Sequence, residues 1–70
     1  MSEYTLEMSS LARFSTAGVI EALQRRRYNR RQDTKENSRF HALGILACVD
    51  TLNTRGMPVP PYEAPSWAQL

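Results

Sequence analysis

The stretch SRFHALGILACVDTLNT, residues 38–54, decides the fold of this chain. It contains no proline, and the residues after it, Gly56 and Pro58, are typical of a helix end. Glycine adopts the left-handed conformation that follows a last helical turn, and proline has no amide proton to continue the helix. The stretch therefore predicts a helix from about residue 38 to residue 54, with Asn37 or Ser38 as its N-cap.

Apolar residues form two stripes on nearly opposite sides of this predicted helix. The stripes are Ala42, Ile45, Val49 and Leu52 on one side, and Phe40, Leu43, Gly44 and Ala47 on the other. A helix that is apolar on two sides must be covered on both of them. One helix of the same chain covers one side only, so we expect the stripe from Ala42 to Leu52 to form a homodimer interface. Coverage by the C-terminal tail is the alternative.

The residues before this segment predict a second main helix, from about residue 10 to residue 29, because they contain no proline and carry a wide apolar stripe. Ser9, Ser10 and Ser15 are candidate N-caps, so the helix begins near Ser10 or restarts near Ser15. A polar connector at residues 30–37 joins the two helices. The prediction is an all-α fold, a helical hairpin that dimerises into a helical bundle.

The two ends of the chain complete a single small domain of residues 1–70. In the N-terminal arm, residues 1–9, Tyr4, Leu6 and Met8 alternate with polar residues, which predicts a short strand or a frayed arm. All four prolines lie in the tail, residues 57–70, which we expect to be extended. Tyr62 and Trp67 are its expected anchors on the helices, although docking in a partner's aromatic groove is the alternative.

The composition limits the class of protein. The chain has 70 residues, a formal charge of +2, one cysteine and one histidine, so neither an internal disulfide nor a Cys/His zinc site is expected. So small a core is marginal without such links, which favours oligomerisation. The longest apolar run, residues 42–49, is far too short for a bilayer span, and the N-terminus lacks a secretory pattern. We expect a cytoplasmic protein that makes no membrane contact.

Catalysis has little support in the sequence. His41 and Cys48 lie about two helical turns apart, and that separation of about 10 Å is too long for a base and its nucleophile. Cys48 is better explained as a small buried residue, and no glycine-rich phosphate loop is present. We therefore expect no enzyme activity, no cofactor and no metal.

An arginine cluster is the sharpest local feature of the sequence. Its members are Arg25, Arg26, Arg27, Arg30 and Arg31, with Tyr28 among them. Guanidinium groups bind the carboxylates of proteins or the phosphates of nucleic acid, and a tyrosine stacks on unpaired bases. The alternative without a binding function is a solvated helix end, where the arginines interact favourably with the negative end of the helix dipole.

These features predict a small non-enzymatic regulatory protein, an inhibitor or adaptor that binds a larger macromolecular partner through the arginine cluster. The alternative is a small dimeric protein that binds RNA or DNA through the same residues. So short a chain fits a phage or mobile-element origin, which the residues themselves do not establish.

Overall fold

The structure is a computed structural model that describes residues 2–32 and 35–68. Every regular element within these residues is helical: α1 (Glu3–Leu11), α2 (Thr16–Gln32), α3 (Lys35–Thr54) and a short 3-10 helix (Ser66–Ala68). The prediction of an all-α fold is confirmed, with three helices in place of the expected two. None of these helices is long and apolar enough to cross a membrane.

The expected N-terminal strand or frayed arm is wrong, because α1 occupies this segment. The Ser2 hydroxyl accepts a hydrogen bond from the amide of Thr5 at 3.1 Å and so caps the helix. Tyr4, Met8 and Leu11 are spaced one and two turns apart, and all three pack against the core. The alternation that predicts a strand in Tyr4–Met8 also fits a helix, since it places two of its three apolar residues four positions apart.

A polar contact adds to the packing of α1 on α3. The Tyr4 hydroxyl donates a hydrogen bond to the Asp50 carboxylate. This hydrogen bond is the main reason that the pKa of Tyr4 is raised above its ordinary value. Ionised tyrosine cannot donate that bond, so the contact belongs to the neutral form of the side chain.

The second helix, α2, begins at Thr16 and not near residue 10. Ser15 is its N-cap, since its hydroxyl accepts from the amide of Gly18 at 3.0 Å. The helix continues through the arginine cluster to Gln32, beyond the predicted end at residue 29. Asp33 and Thr34, which belong to the predicted connector, lie outside the described residues.

The predicted end of α3 at Thr54 is confirmed, whereas its predicted start near residue 38 is wrong, because the helix begins at Lys35 and Asn37 and Ser38 lie within it. Gly56 has φ +71°, the left-handed conformation that glycine adopts without strain. The amide of Gly56 donates to the Asn53 carbonyl at 3.0 Å, and the amide of Met57 donates to the Leu52 carbonyl at 2.9 Å. This pair of hydrogen bonds is the Schellman arrangement, which satisfies carbonyls that a helix end otherwise leaves unpaired.

The core lies at the C-terminal half of α3, which packs against both α1 and α2. Its buried apolar residues are Leu11, Val19, Leu23, Ala47, Cys48 and Leu52. Arg55 closes this end of the molecule. Its guanidinium donates to the carbonyls of Leu11 and Phe14, at 3.2 and 2.7 Å, and to the hydroxyl of Thr16 at 3.2 Å. One side chain thus ties α3 to the turn between α1 and α2.

The presence of α1 changes the argument for a homodimer. The homodimer prediction assumed one partner helix for α3, whereas the chain itself supplies two. Leu52 is fully buried within the single chain and leaves no exposed surface for a partner. Ala42, Ile45 and Val49 are half-buried and keep some surface. A dimer through these three residues stays a prediction, but the core no longer requires it.

Candidate protein-binding groove

Three large apolar side chains remain exposed around one groove of the molecule. Leu6 is 53% exposed, Phe14 is 43% exposed and Phe40 is 52% exposed. They come from α1, from the turn after α1 and from the first half of α3, and all three line a groove of about 440 Å³. Isolated apolar residues on a surface are ordinary, whereas a group of them in one depression marks an interaction site.

We call this depression the α1–α2 groove, because it lies between these two helices and α3 forms its floor. Among the described residues, α1 and α2 each pack extensively on α3 but make few direct contacts with each other. Leu6 and Glu3 lie on the α1 side, Ala22 and Arg25 lie on the α2 side, and Leu43 lies on the floor. The arrangement resembles a helical bundle with one helix position left open.

Arg26 spans the inner part of the α1–α2 groove. From α2 it reaches Glu7 on α1, with 3.0 Å between Nη2 and Oε1, and both side chains are only about a quarter exposed. Its guanidinium carbon lies 4.6 Å from the centroid of the Phe40 ring. A cation over an aromatic ring and a partly buried ion pair both favour this position. One side chain therefore joins all three helices.

Gly44 provides the room for Arg26. A Cβ atom added at Gly44 would lie 2.8 Å from Nε and 3.1 Å from Cδ of Arg26. Such distances are too short for carbon contacts, so any larger residue would displace the arginine. The small residue on α3 thus permits the close approach of the Arg26 side chain.

The arginine cluster does not form one continuous patch. Arg25 and Arg26 face the α1–α2 groove, whereas Arg27, Arg30 and Arg31 line a separate cavity. Arg25 makes an exposed ion pair with Glu21, one turn earlier, at 3.6 Å. Of the six residues predicted to bind a partner, the five arginines are therefore divided between two depressions, and Tyr28 contacts the tail.

The tail lies along α2 through a series of specific contacts. The Gln24 amide donates to the Pro61 carbonyl at 2.9 Å and accepts from the amide of Glu63 at 3.1 Å. Arg27 donates to the Pro60 carbonyl at 2.7 Å. Proline carbonyls are free to accept because an extended segment makes no hydrogen bonds within itself. The tail is thereby held against the chain's own helix.

Both aromatic residues of the tail contact α2. The guanidinium carbon of Arg31 lies 4.0 Å from the ring centroid of Tyr62. Trp67 meets Tyr28 edge to face, with ring centroids 5.1 Å apart, but it remains 54% exposed. Trp67 therefore covers Tyr28 and does not enter the core. The described tail ends at residue 68, and Gln69 and Leu70 lie outside it.

The residues considered for catalysis are placed differently. His41 and Cys48 are both buried in the helical core. Burial raises the pKa of the Cys48 thiol from 9.0 to about 11, against an opposing effect of the Arg26 guanidinium. A raised pKa disfavours the thiolate that acts as a nucleophile. Within the described residues, no group of three or more His, Cys, Asp or Glu side chains is placed to hold a metal ion.

Comparison with protein families, with curated proteins and with solved structures gave no match to this chain. The candidate site is therefore defined by its own geometry. Leu6 was missed because residues 1–9 were predicted to form an arm, and Phe14 was missed because residues from about 10 to 29 were predicted to form one helix, whereas Phe14 lies in the turn between α1 and α2. The available signal was the helical spacing of Tyr4, Met8 and Leu11, which turns Leu6 away from the core.

Proposed function

We propose that this chain is a non-enzymatic, cytoplasmic regulatory protein that acts as an inhibitor or adaptor. It binds one amphipathic helix of a larger protein in the α1–α2 groove. The observation that carries this proposal is the gathering of Leu6, Phe14 and Phe40, each about half exposed, around a single groove. Burying these side chains against a partner would remove apolar area from water, which drives most protein association.

A helix is the occupant that fits the shape of the groove. The walls are the helices α1 and α2, and the floor is α3, so an added helix would complete a bundle. Partner helices that bind in this mode present apolar anchors at positions i, i+3 or i+4, and i+7. The volume of about 440 Å³ is within the range of ordinary binding pockets. It therefore accommodates anchor side chains and not a whole domain.

The charges at the rim define the flanks of that helix. At the rim the α1 side carries the carboxylate of Glu3, because Glu7 is already paired with Arg26, and the α2 side carries the guanidinium of Arg25. The complementary helix has Lys or Arg on the flank that faces α1 and Asp or Glu on the flank that faces α2. Complementary charges favour one orientation and suppress the wrong partner.

A second copy of this chain is a poorer occupant. Each of its three helices already commits apolar residues to its own core. Inserting one of those helices into the groove of a neighbour would require it to leave that core. The homodimer predicted through Ala42, Ile45 and Val49 would use the opposite side of α3 from Phe40 and Leu43, so it is compatible with an occupied groove.

The test uses two designed helical peptides of about 18 residues, which is about five turns. Both carry the same apolar anchors, but the basic and acidic flanks are exchanged between them. Fluorescence anisotropy should show that only the peptide with the complementary flanks binds. Phe40→Asp should weaken its binding at least about tenfold by placing a charge in the apolar groove. Leu46→Asp is the matched control, since Leu46 is on the same helix, is 51% exposed and does not line the groove.

Three outcomes would overturn this proposal. The first is that neither peptide binds, and the second is that Phe40→Asp and Leu46→Asp have the same effect. The third is that a photo-crosslinking residue placed at position 40 attaches in cell extract only to a second copy of the chain. Attachment to an amphipathic helix of another protein, lost when the crosslinker is moved to position 46, is the expected result.

A further inference from the structure

A second cavity lies on another face of α2, at its junction with the tail. It has a volume of about 400 Å³ and is lined by Arg27, Arg30, Arg31, Ile45 and Tyr62. Arg27, Arg30 and Arg31 come from the last two turns of α2, and Tyr62 comes from the tail. The proposed helix-binding site uses none of these residues. We call this depression the arginine cavity.

Neutral groups hold its three arginines in place. Arg27 donates to the Pro60 carbonyl at 2.7 Å, Arg30 donates through Nε to the Ser38 hydroxyl at 3.3 Å, and Arg31 lies over the Tyr62 ring. Among the side chains that the structure describes, the ion pairs of the cluster are Arg25–Glu21 and Arg26–Glu7. Both of these pairs hold arginines that lie outside the arginine cavity.

Among the described side chains, this arrangement orients positive charge without pairing it to a carboxylate. A guanidinium group has five N–H donors, so one hydrogen bond to a carbonyl or hydroxyl leaves others for a ligand. Three guanidinium groups that face one cavity match the charge and the several acceptor oxygens of a phosphate, which arginine binds with its planar fork of donors. Anchoring by Pro60 and Ser38 also lowers the entropy that binding would cost.

We infer that the arginine cavity is a binding site for phosphate groups. The backbone of a single-stranded nucleic acid and a free polyphosphate share this chemistry, and either could supply the ligand. The nucleic-acid source corresponds to the RNA or DNA binding predicted from the arginine cluster. Tyr28 is covered by Trp67, so the inference rests on the phosphate contacts and not on base stacking.

The first arm of the test titrates the full chain with inorganic pyrophosphate by calorimetry at low salt. Arg30→Gln removes one guanidinium from the cavity. Arg30 is exposed and its only described polar contact is 3.3 Å long, so the variant should keep the fold. Loss of a charged hydrogen-bond donor should weaken pyrophosphate binding about tenfold. Arg13→Gln is the matched control, because Arg13 is exposed and precedes the opposite end of α2.

The second arm identifies the source of the phosphate. A short single-stranded oligonucleotide that displaces pyrophosphate supports a nucleic-acid backbone as ligand, and one that does not displace it supports a free polyphosphate. The inference is overturned if the unmodified chain binds no pyrophosphate at millimolar concentration. It is also overturned if Arg13→Gln weakens binding as much as Arg30→Gln, because the effect would then be one of total charge. None of these readouts depends on the α1–α2 groove.

Discussion

The two halves of α3 differ in what covers them. The C-terminal half, from Ala47 onward, packs against both α1 and α2 and contributes Ala47, Cys48 and Leu52 to the core. In the N-terminal half, Phe40 and Leu46 are each about half exposed, and the Arg26 side chain spans the gap between α1 and α2. The same helix thus has one half that stabilises the domain and one half whose apolar surface is available.

The comparison teaches that an apolar stripe does not identify its own partner. Both halves of α3 carry apolar residues at helical spacing, but they are not covered alike. On α1, in the same way, Leu11 contributes to the core, whereas Leu6 lies on the wall of the groove. The position of α1 decides which apolar residues become core. We call the C-terminal half of α3 the closed half and its N-terminal half the open half. The predictions below distinguish the two, beginning with the largest expected effect.

The largest difference is expected between two leucines of α3. Leu52→Ala should lower the free energy of unfolding by about 2–5 kcal/mol, because it removes a fully buried side chain and leaves a cavity. Leu46→Ala should lower it by only about 0.5 kcal/mol, because half of that side chain is in water. Urea unfolding followed by circular dichroism measures both. Equal effects would mean that the two halves are covered alike.

The thiol of Cys48 tests the boundary between the halves. Burial raises its pKa from 9.0 to about 11, so the thiolate fraction at pH 8 should be about 100-fold lower than in the unfolded chain. Alkylation by iodoacetamide should be slowed by at least that factor. Cys48 lines the α1–α2 groove, so rapid alkylation of the folded chain would show that the groove opens down to its floor.

The raised pKa of Cys48 also makes the free energy of unfolding depend on pH. Because the folded pKa is raised, the stability gained by burying the neutral thiol is fully present below about pH 9 and is lost as the pH rises toward 11. The raised pKa of Tyr4 acts in the same direction. Unfolding measured against pH should therefore show an alkaline decline that is smaller in Cys48→Ala and in Tyr4→Phe.

A double-mutant cycle tests the contact between Arg26 and Gly44 in the open half. Gly44→Ala should stabilise the helix by about 1 kcal/mol when Arg26 is replaced by alanine, because alanine has the higher helix propensity. In the unmodified chain the gain should be smaller, since the added Cβ would lie 2.8 Å from Nε of Arg26 and displace it. Identical effects in both backgrounds would contradict the placement of Arg26 across the groove.

The smallest effect is expected for Arg25→Ala. Its ion pair with Glu21 is exposed and 3.6 Å long, and such pairs contribute at most about 0.5 kcal/mol. The change should leave the unfolding midpoint nearly constant. A loss comparable to that of Arg26→Ala would show that the two neighbouring arginines have similar roles, which their different contacts contradict.

The C-terminal end of α3 and the N-cap of α2 were predictable, whereas the predicted end of α2 at residue 29 and the predicted start of α3 at residue 38 fell short of the observed Gln32 and Lys35. Gly56 and Pro58 predict the end of α3 because the chemistry is local, and Ser15 was among the predicted caps for the same reason. The prediction of a strand or a frayed arm at Tyr4–Met8 was wrong, because five residues fit a period of two and a helical period equally well. Because α1 was not predicted, one of the two helices that cover α3 was missing from the prediction. A second copy of the chain was predicted in its place.

The candidate sites could not be predicted in the same way. The five arginines are adjacent in sequence, but a long side chain finds its partner by tertiary position. Arg26 reaches Glu7, 19 residues away, and Arg27 reaches Pro60, 33 residues away. A helical wheel shows which way each residue points and does not show what it meets. The division of the cluster between two sites therefore required the fold.

The nine-residue length of α1 has a consequence for the order in which the chain opens. A helix shorter than about 12 residues is marginal by itself in water, so α1 keeps its shape only while it stays docked on α3. Its one buried residue is Leu11, whereas the α2–α3 hairpin holds most of the core. Backbone amides of α1 should therefore exchange with solvent through a local opening that leaves the hairpin intact. When that happens, one wall of the groove is lost before the domain itself unfolds.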